Sequence, residues 1–271
     1  MRRMNFKDYL SISLLNVLAL ILMLLPFKGN ANDWGKIGHR VIGEIAEENL
    51  SDSALTEVMY LLNGESMATA STWADEMRSN PDFRPYDAWH YVNLPLDKEY
   101  NEIKHNPKGD VIQTINKCIE ILKDSTSNKQ TKTFYLKYLI HTVGDLHQPL
   151  HTGRYSDYGG SKIKLQFMGR KASNKTTNLH VLWDSDMIDD YKMGYKDFAN
   201  HLMRTQQENF QQGNAEVWAN ESHTLVKDIY ANINEGDKIG YDYIYTNFPT
   251  VKLRLYQAGI RLAGILNEIY L

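Results

Sequence analysis

The segment HTVGDLHQPLH, residues 141–151, holds three of the chain's nine histidines and one aspartate. His141 and Asp145 are four apart, so on a helix they share one face. An imidazole and a carboxylate placed together either hydrogen-bond as a pair within the core or ligate a metal ion. Pro149 ends the helix and turns the chain, which lets His151 return towards the same place. The spacing recurs in NLHVLWD, 178–184, where His180 and Asp184 are again four apart on an expected helix. Two such pairs plus His151 give five candidate ligands, and the repetition favours metal over a core pair. Mixed imidazole and carboxylate donors suit zinc better than manganese or iron. Upstream, STWADEMR puts Asp75 on a helix, DAWHYVN puts His90 after an aromatic, and WGKIGH supplies His39. His147 lies on neither ligand face, which suits a supporting or capping role. His105, His201 and His223 lack such company and are expected at the surface.

Helices must position these donors. Over 132–147, at about 100° per residue, Leu136, Ile140 and Val143 form one apolar stripe. His141 and Asp145 share the other face with Phe134 and Tyr138. A helix apolar on both sides belongs at the centre of a fold, so the His–Asp pair is expected to be buried or half-buried. Further helices are expected over 38–50, from a Ser51 or Asp52 cap to Leu62, and over 70–79, 110–123, 195–212, 216–233 and 248–270. In the last of these, Leu255, Leu262, Ile265, Leu266 and Ile269 share a face. KIKLQF, 162–167, is the strand candidate, in a small β-hairpin. The fold class is mainly α, a single-domain multi-helix bundle.

Arg2, Arg3 and Lys7 precede an apolar run over 10–27, followed by KGNAND. That order reads as a secretory signal peptide over 1–31, with the working domain over 32–271 and a periplasmic or secreted destination. An uncleaved anchor helix is the competing reading, and the small residues Gly29 and Ala31 favour cleavage. Cys118 is the only cysteine, so no intramolecular disulfide can form. Losing 1–31 takes the formal charge from −3 to −6, because that stretch holds four bases and one acid. Such a chain does not hold nucleic acid by general phosphate attraction, so any grip on phosphate must be local.

Taken in order, WGKIGH (34–39), WAD (73–75), WH (89–90), HTVGDLHQPLH (141–151) and HVLWD (180–184) resemble the zinc-dependent single-strand nucleases and 3′-nucleotidases of fungi, plants and bacteria. That family shares its fold with zinc phospholipase C. The resemblance runs from Trp34 to Asp184 by motif, and beyond by helical character. It implies three zinc ions per chain. Asp75, His90, His141 and Asp145 match the ligands of one, and His151, His180 and Asp184 match those of a second. The third is implied to take the amine and carbonyl of Trp34, with His39 beside it and Asp145 bridging. Cleavage after Ala31 leaves Asn32 and Asp33 ahead of Trp34, which puts that third ion in doubt. A weakened or absent site, trimming by a peptidase, or Asp33 as a substitute ligand are the alternatives.

The resemblance also implies roles around the metals. Asp75 would orient or deprotonate the nucleophile. Arg78, one turn later, would grip a phosphate oxygen, against the reading of an ordinary surface arginine. Tyr91 would stack a base, against the reading of a core aromatic. Ser161 stands where the family often has the asparagine of a GGN segment. Asn93 stands where fungal members have an acid, so base preference is open. The implied activity is endonucleolytic hydrolysis of single-stranded DNA and RNA to 5′-phosphorylated products, with 3′-nucleotidase activity as an extension. Single-stranded nucleic acid is the partner implied. No stable protein partner and no membrane association after signal cleavage are implied, and a monomer is expected. Zinc phospholipase C is the enzymatic alternative, but its last ligand is usually Glu, whereas here it is Asp184. A non-catalytic zinc scavenger would carry flexible His-rich tracts, and this sequence has none.

Overall fold

Asn128 starts the helix that organises the molecule, Lys129–His147, by accepting the Thr131 N–H at 2.9 Å on its side chain. From Leu136 to His147 every residue except Lys137 is buried, as a helix apolar on both sides requires. The helix stops because the residue before a proline resists helical backbone. Gln148 is extended, and Pro149 opens a 3-10 turn, Pro149–Thr152, that carries His151. This computed structural model describes residues 34–168, 174–206 and 208–271. The expected signal peptide, 1–31, with Asn32 and Asp33, lies outside the described residues.

Helices Lys36–Glu47, Asp52–Leu61, Val111–Lys123, Ala215–Ala231 and Tyr241–Ile269 all pack on the central helix. Their starts follow from local capping. Ser51 Oγ accepts the Ala54 N–H, and Asp110 Oδ1 accepts the amides of Ile112 and Gln113 at 3.0 Å. The helix expected over 70–79 is instead two pieces, Met67–Ala70 and Trp73–Met77. Between them the Ser71 and Thr72 hydroxyls donate to the carbonyls of Ala68 and Thr69, competing with the helical ladder. The helix expected over 195–212 ends at Thr205, and Gln206 is already extended. The last helix, expected over 248–270, begins earlier, at Tyr241, so that Pro249 lies inside it. Pro249 has no N–H to give the Tyr245 carbonyl four residues before it, so the ladder lacks that one bond.

β1 (Lys164–Met168) pairs antiparallel with β2 (Asn174–Asn178), Leu165 opposite Thr177. β3 (Lys238–Ile239) adds to the other edge of β1 in parallel, so the expected hairpin is part of a three-stranded sheet of order β2-β1-β3. Two residues are too few to show a periodicity, which is why β3 escapes a sequence reading. Among the described residues no helix is long and apolar enough to cross a membrane.

Candidate metal centre

Asp145 is fully buried in the last turn of the central helix. Its Oδ2 lies 3.0 Å from His90 Nδ1 and 3.1 Å from His141 Nε2. Its Oδ1 lies 3.4 Å from His39 Nε2. One carboxylate therefore addresses two neighbouring clusters, as a bridging ligand must. Asp75, on Trp73–Met77, brings Oδ1 to 3.6 Å from His141 Nε2 and 3.9 Å from His90 Nδ1. His90 ends the 3-10 helix Pro81–His90. Among the described residues three groups could hold a metal ion: His39, His141 and Asp145; Asp75, His90 and His141; His151, His180 and Asp184. Within each, the donor atoms lie within 4.8 Å of one another.

The third group is built on less regular backbone. His180 sits on the turn Leu179–Val181, which widens into a π-turn, Leu182–Asp186, carrying Asp184. The spacing of four suggests a plain α-helix here, and the structure corrects that. Single π-turns recur at functional sites because they re-aim a side chain within a helix. His180 Nε2 lies 3.2 Å from Asp184 Oδ2, and His151 Nε2 lies 3.7 Å from Asp184 Oδ1.

Hydrogen bonds to backbone carbonyls settle which ring nitrogens carry protons, since a carbonyl can only accept. His141 Nδ1 donates to Ser71 O at 2.7 Å, His151 Nδ1 to His90 O at 2.8 Å, and His180 Nδ1 to Gly159 O at 2.8 Å. In the neutral rings each Nε2 is then a lone pair, and each faces a carboxylate. Lone pair against carboxylate is repulsive unless a cation lies between them. His151 and His180 stack with centroids 5.1 Å apart, which aligns their two Nε2 edges towards Asp184. A divalent cation with nitrogen and oxygen preference fits this donor set, and the carbonyl-anchored imidazole is the usual support of such ligands.

The other expected residues fall around this centre. Trp34 is fully buried: its indole Nε1 donates to Gly144 O at 2.7 Å, and the next amide, Gly35 N, donates to Asp184 O at 2.8 Å. The N-terminal turn is thereby tied to both ligand-bearing segments. A Cβ at Gly144 would lie 3.0 Å from His39 Nδ1, so any larger residue there would press on that ring. Arg78 places Nη1 3.6 Å from Asp75 Oδ1 and is half-buried, not a solvated surface arginine. Val92 and Leu94 are buried and donate their amides to His151 O and Gly153 O. In such extended backbone Tyr91 and Asn93 point the other way. Tyr91 is 39% exposed, which removes the core-aromatic reading, and Asn93 is half-buried. Ser161 is half-buried, and its Oγ makes no hydrogen bond among the described residues.

Two histidine expectations need comment. His223 is buried, not superficial: its Nδ1 and Nε2 lie 3.0 and 3.1 Å from Thr152 O and Pro95 O, beside the turn that bears His151. His105 is exposed and His201 half-exposed. His147 supports the helix end, accepting from Arg261 Nη1 at 2.9 Å while donating to Val143 O at 2.7 Å. Burial above all, then the charges of Arg254 and Arg261, hold its pKa well below the ordinary value, so it stays neutral. Sequence reasoning missed Gln148, whose amide donates to Asp184 Oδ1 and whose Oε1 accepts the Leu150 amide. Its place between His147 and Pro149 was the available signal.

A mainly helical scaffold here gathers three His/Asp groups, two of which meet at Asp145, with donors of the kind that hold metal ions. Comparison with known proteins narrows the class. The S1/P1 Nuclease family profile matches residues 34–271, and the chain belongs to that family. Endonuclease 3 of Arabidopsis thaliana is 31% identical over 280 residues, covering 92% of this chain and 93% of the relative. Nuclease P1 of Penicillium citrinum is 26% identical over 271 residues, covering 88% and 98%. Nuclease S1 of Aspergillus oryzae is 25% identical, covering 87% and 91%. The chain is accordingly a nuclease, a hydrolytic phosphodiesterase whose substrate is nucleic acid.

Proposed function

We propose that the chain is a zinc-dependent endonuclease that cleaves single-stranded DNA and RNA to 5′-phosphorylated products, with 3′-nucleotidase activity at the same centre. The observation that carries this is the set of buried imidazole lone pairs facing Asp145, Asp75 and Asp184 in a chain of the S1/P1 nuclease family. Asp75, His90, His141 and Asp145 would hold one zinc. His151, His180 and Asp184 would hold a second. His39, Asp145 and the carbonyl of Trp34 would hold a third. Zinc bound there supplies Lewis acidity to the phosphodiester and lowers the pKa of water.

The chain's own groups do the rest. Asp75 Oδ1 orients the attacking water at the edge of the first group, and can take its proton. Arg78, against Asp75, offers a guanidinium to a phosphate oxygen. Tyr91 presents an exposed ring beside His90, where an unpaired base can stack. Asn93 and Ser161 would read the base by hydrogen bonds. We take the working enzyme to be residues 32–271, exported after loss of 1–31 and acting as a monomer.

The test is hydrolysis of a single-stranded oligonucleotide by the purified 32–271 protein, zinc-loaded or chelated. A duplex of the same sequence and phosphatidylcholine serve as controls. Zinc-dependent release of 5′-phosphorylated products from the single strand is expected. Equal cleavage of the duplex would remove the strand preference, and lipid cleavage alone would favour the phospholipase alternative.

A further inference from the structure

We propose that Tyr155 and Tyr158 form a second base platform, on the His180 side of the centre, for a nucleotide of the strand being cleaved. The inference rests on the nuclease reading above. Both rings are surface features, 69% and 55% exposed, and meet edge to face with centroids 5.7 Å apart. Lys162 Nζ lies 4.3 Å from the Tyr158 ring centroid and donates to Ser156 O at 3.0 Å. The ledge therefore carries a cation over one face of the exposed Tyr158 ring, and aromatic rings with nearby cations are what hold single strands without reading sequence.

The backbone argues for a use. Tyr158 has φ 53° and ψ 56°, the left-handed region that residues with a Cβ adopt at a cost. Glycine would sit there without strain, and the exposed ring returns little to the core. A strained residue that keeps a large ring in water points to a ligand for the ring.

The ledge is also rigid and registered on the centre. Asp157 Oδ1 accepts from Gly160 N at 2.9 Å and from the Tyr230 hydroxyl at 2.8 Å, and Oδ2 accepts from Arg154 Nε at 2.6 Å. The next residue after Tyr158 supplies the carbonyl that anchors His180. Tyr91, in turn, follows His90 directly. The two exposed aromatic positions thus border different ligand groups. A strand crossing the centre meets one on each side of the cleaved bond, and only unpaired bases can use both.

The experiment uses the zinc-loaded 32–271 protein and two substrates of equal length, a twelve-residue oligothymidylate and its abasic counterpart. Tyr158→Gly relieves the backbone strain, so the loop keeps its shape. It is expected to raise KM for oligothymidylate about five-fold while moving KM for the abasic strand less. Tyr158→Trp is expected to restore the wild-type value. An unmoved KM, or equal shifts on both strands, in an enzyme that cleaves normally would overturn the platform alone. Failure of the wild-type protein to cleave oligothymidylate would overturn the nuclease reading and the platform with it.

Discussion

Two buried polar clusters lie on opposite faces of the last turns of the central helix, and they are satisfied in different ways. On one face are His141 and Asp145 with the other candidate ligands. On the other, His147 meets Arg261, and Arg254 donates to His147 O, Gln257 and Ser222 Oγ. Glu221 closes this second cluster with Oε2 2.9 Å from Arg254 and 2.6 Å from Arg261. Ser222 Oγ passes a hydrogen bond on to Leu146 O at 2.6 Å. Donors meet acceptors throughout, including carbonyls that a helix end leaves over. In the ligand cluster, Gln148 donates to Asp184, but the Nε2 atoms of His141 and His180 face Asp145 and Asp184 as lone pairs. The difference teaches how to tell a structural polar network from a site. The first pairs each charge with its opposite inside the chain, whereas the second brings nitrogen and oxygen donors together as a cation would require.

Four perturbations test this contrast. The largest effect is expected from His141→Ala or Asp145→Asn. Each should reduce phosphodiesterase activity by about 1,000-fold or more, because several kcal/mol of transition-state stabilisation depend on the metals, and metal analysis should show lost zinc. Full activity in either variant would sink the assignment. Chelation should come next, lowering stability by about 4 kcal/mol if free zinc had stood near a thousand times its dissociation constant. Denaturant titrations with and without chelator read this directly, and coincident curves would contradict a metal-filled cluster.

Glu221→Gln attacks the other face. It leaves Arg254 and Arg261 without their counter-charge and should cost about 2 kcal/mol, less than a fully buried pair because Glu221 is 37% exposed. The loss should be the same with zinc and without, since the two clusters are satisfied independently. A strong zinc dependence would show that they are not. Burial works to raise the Glu221 pKa, but hydrogen bonds and charge from Arg261 and Arg254 outweigh it and hold the carboxyl low. The stability it contributes is therefore present above the ordinary glutamate value of about 4.3 and lost as pH falls through the lower folded-state value. The gap between wild type and Glu221→Gln should close over that acid range. Smallest is Tyr91→Ala, expected to raise KM for single-stranded DNA a few-fold, roughly five, and to lower kcat less. An unchanged KM would remove Tyr91 as a platform.

The ligand face was legible in the sequence because helical periodicity fixes it locally. His141 with Asp145, and the burial expected of a helix apolar on both sides, follow from spacing alone. The start at Ser51 follows from cap chemistry. What periodicity cannot say is which partner covers a face. Arg254 and Arg261 are seven apart, beside Leu255 and Leu262, so they share the buried side of their helix. Charged residues at such positions read as solvent-facing until Glu221, on another helix, is seen to meet them. His223 misleads for the same reason, since its partners are carbonyls at Pro95 and Thr152. The π-turn at Leu182–Asp186 leaves a spacing of four unchanged, so nothing in the letters separates it from an α-helix.

The candidate ligands are scattered from His39 to Asp184, and only two pairs of them are near neighbours in sequence. In an unfolded chain the long loops between them make every group entropically remote. Zinc then has nothing to grasp until the bundle has largely assembled, so it enters as a lock and not as a seed. Refolding should proceed at the same rate with or without zinc, while unfolding should be slowed by it. Stopped-flow refolding that accelerates with zinc would show instead that part of the centre forms early.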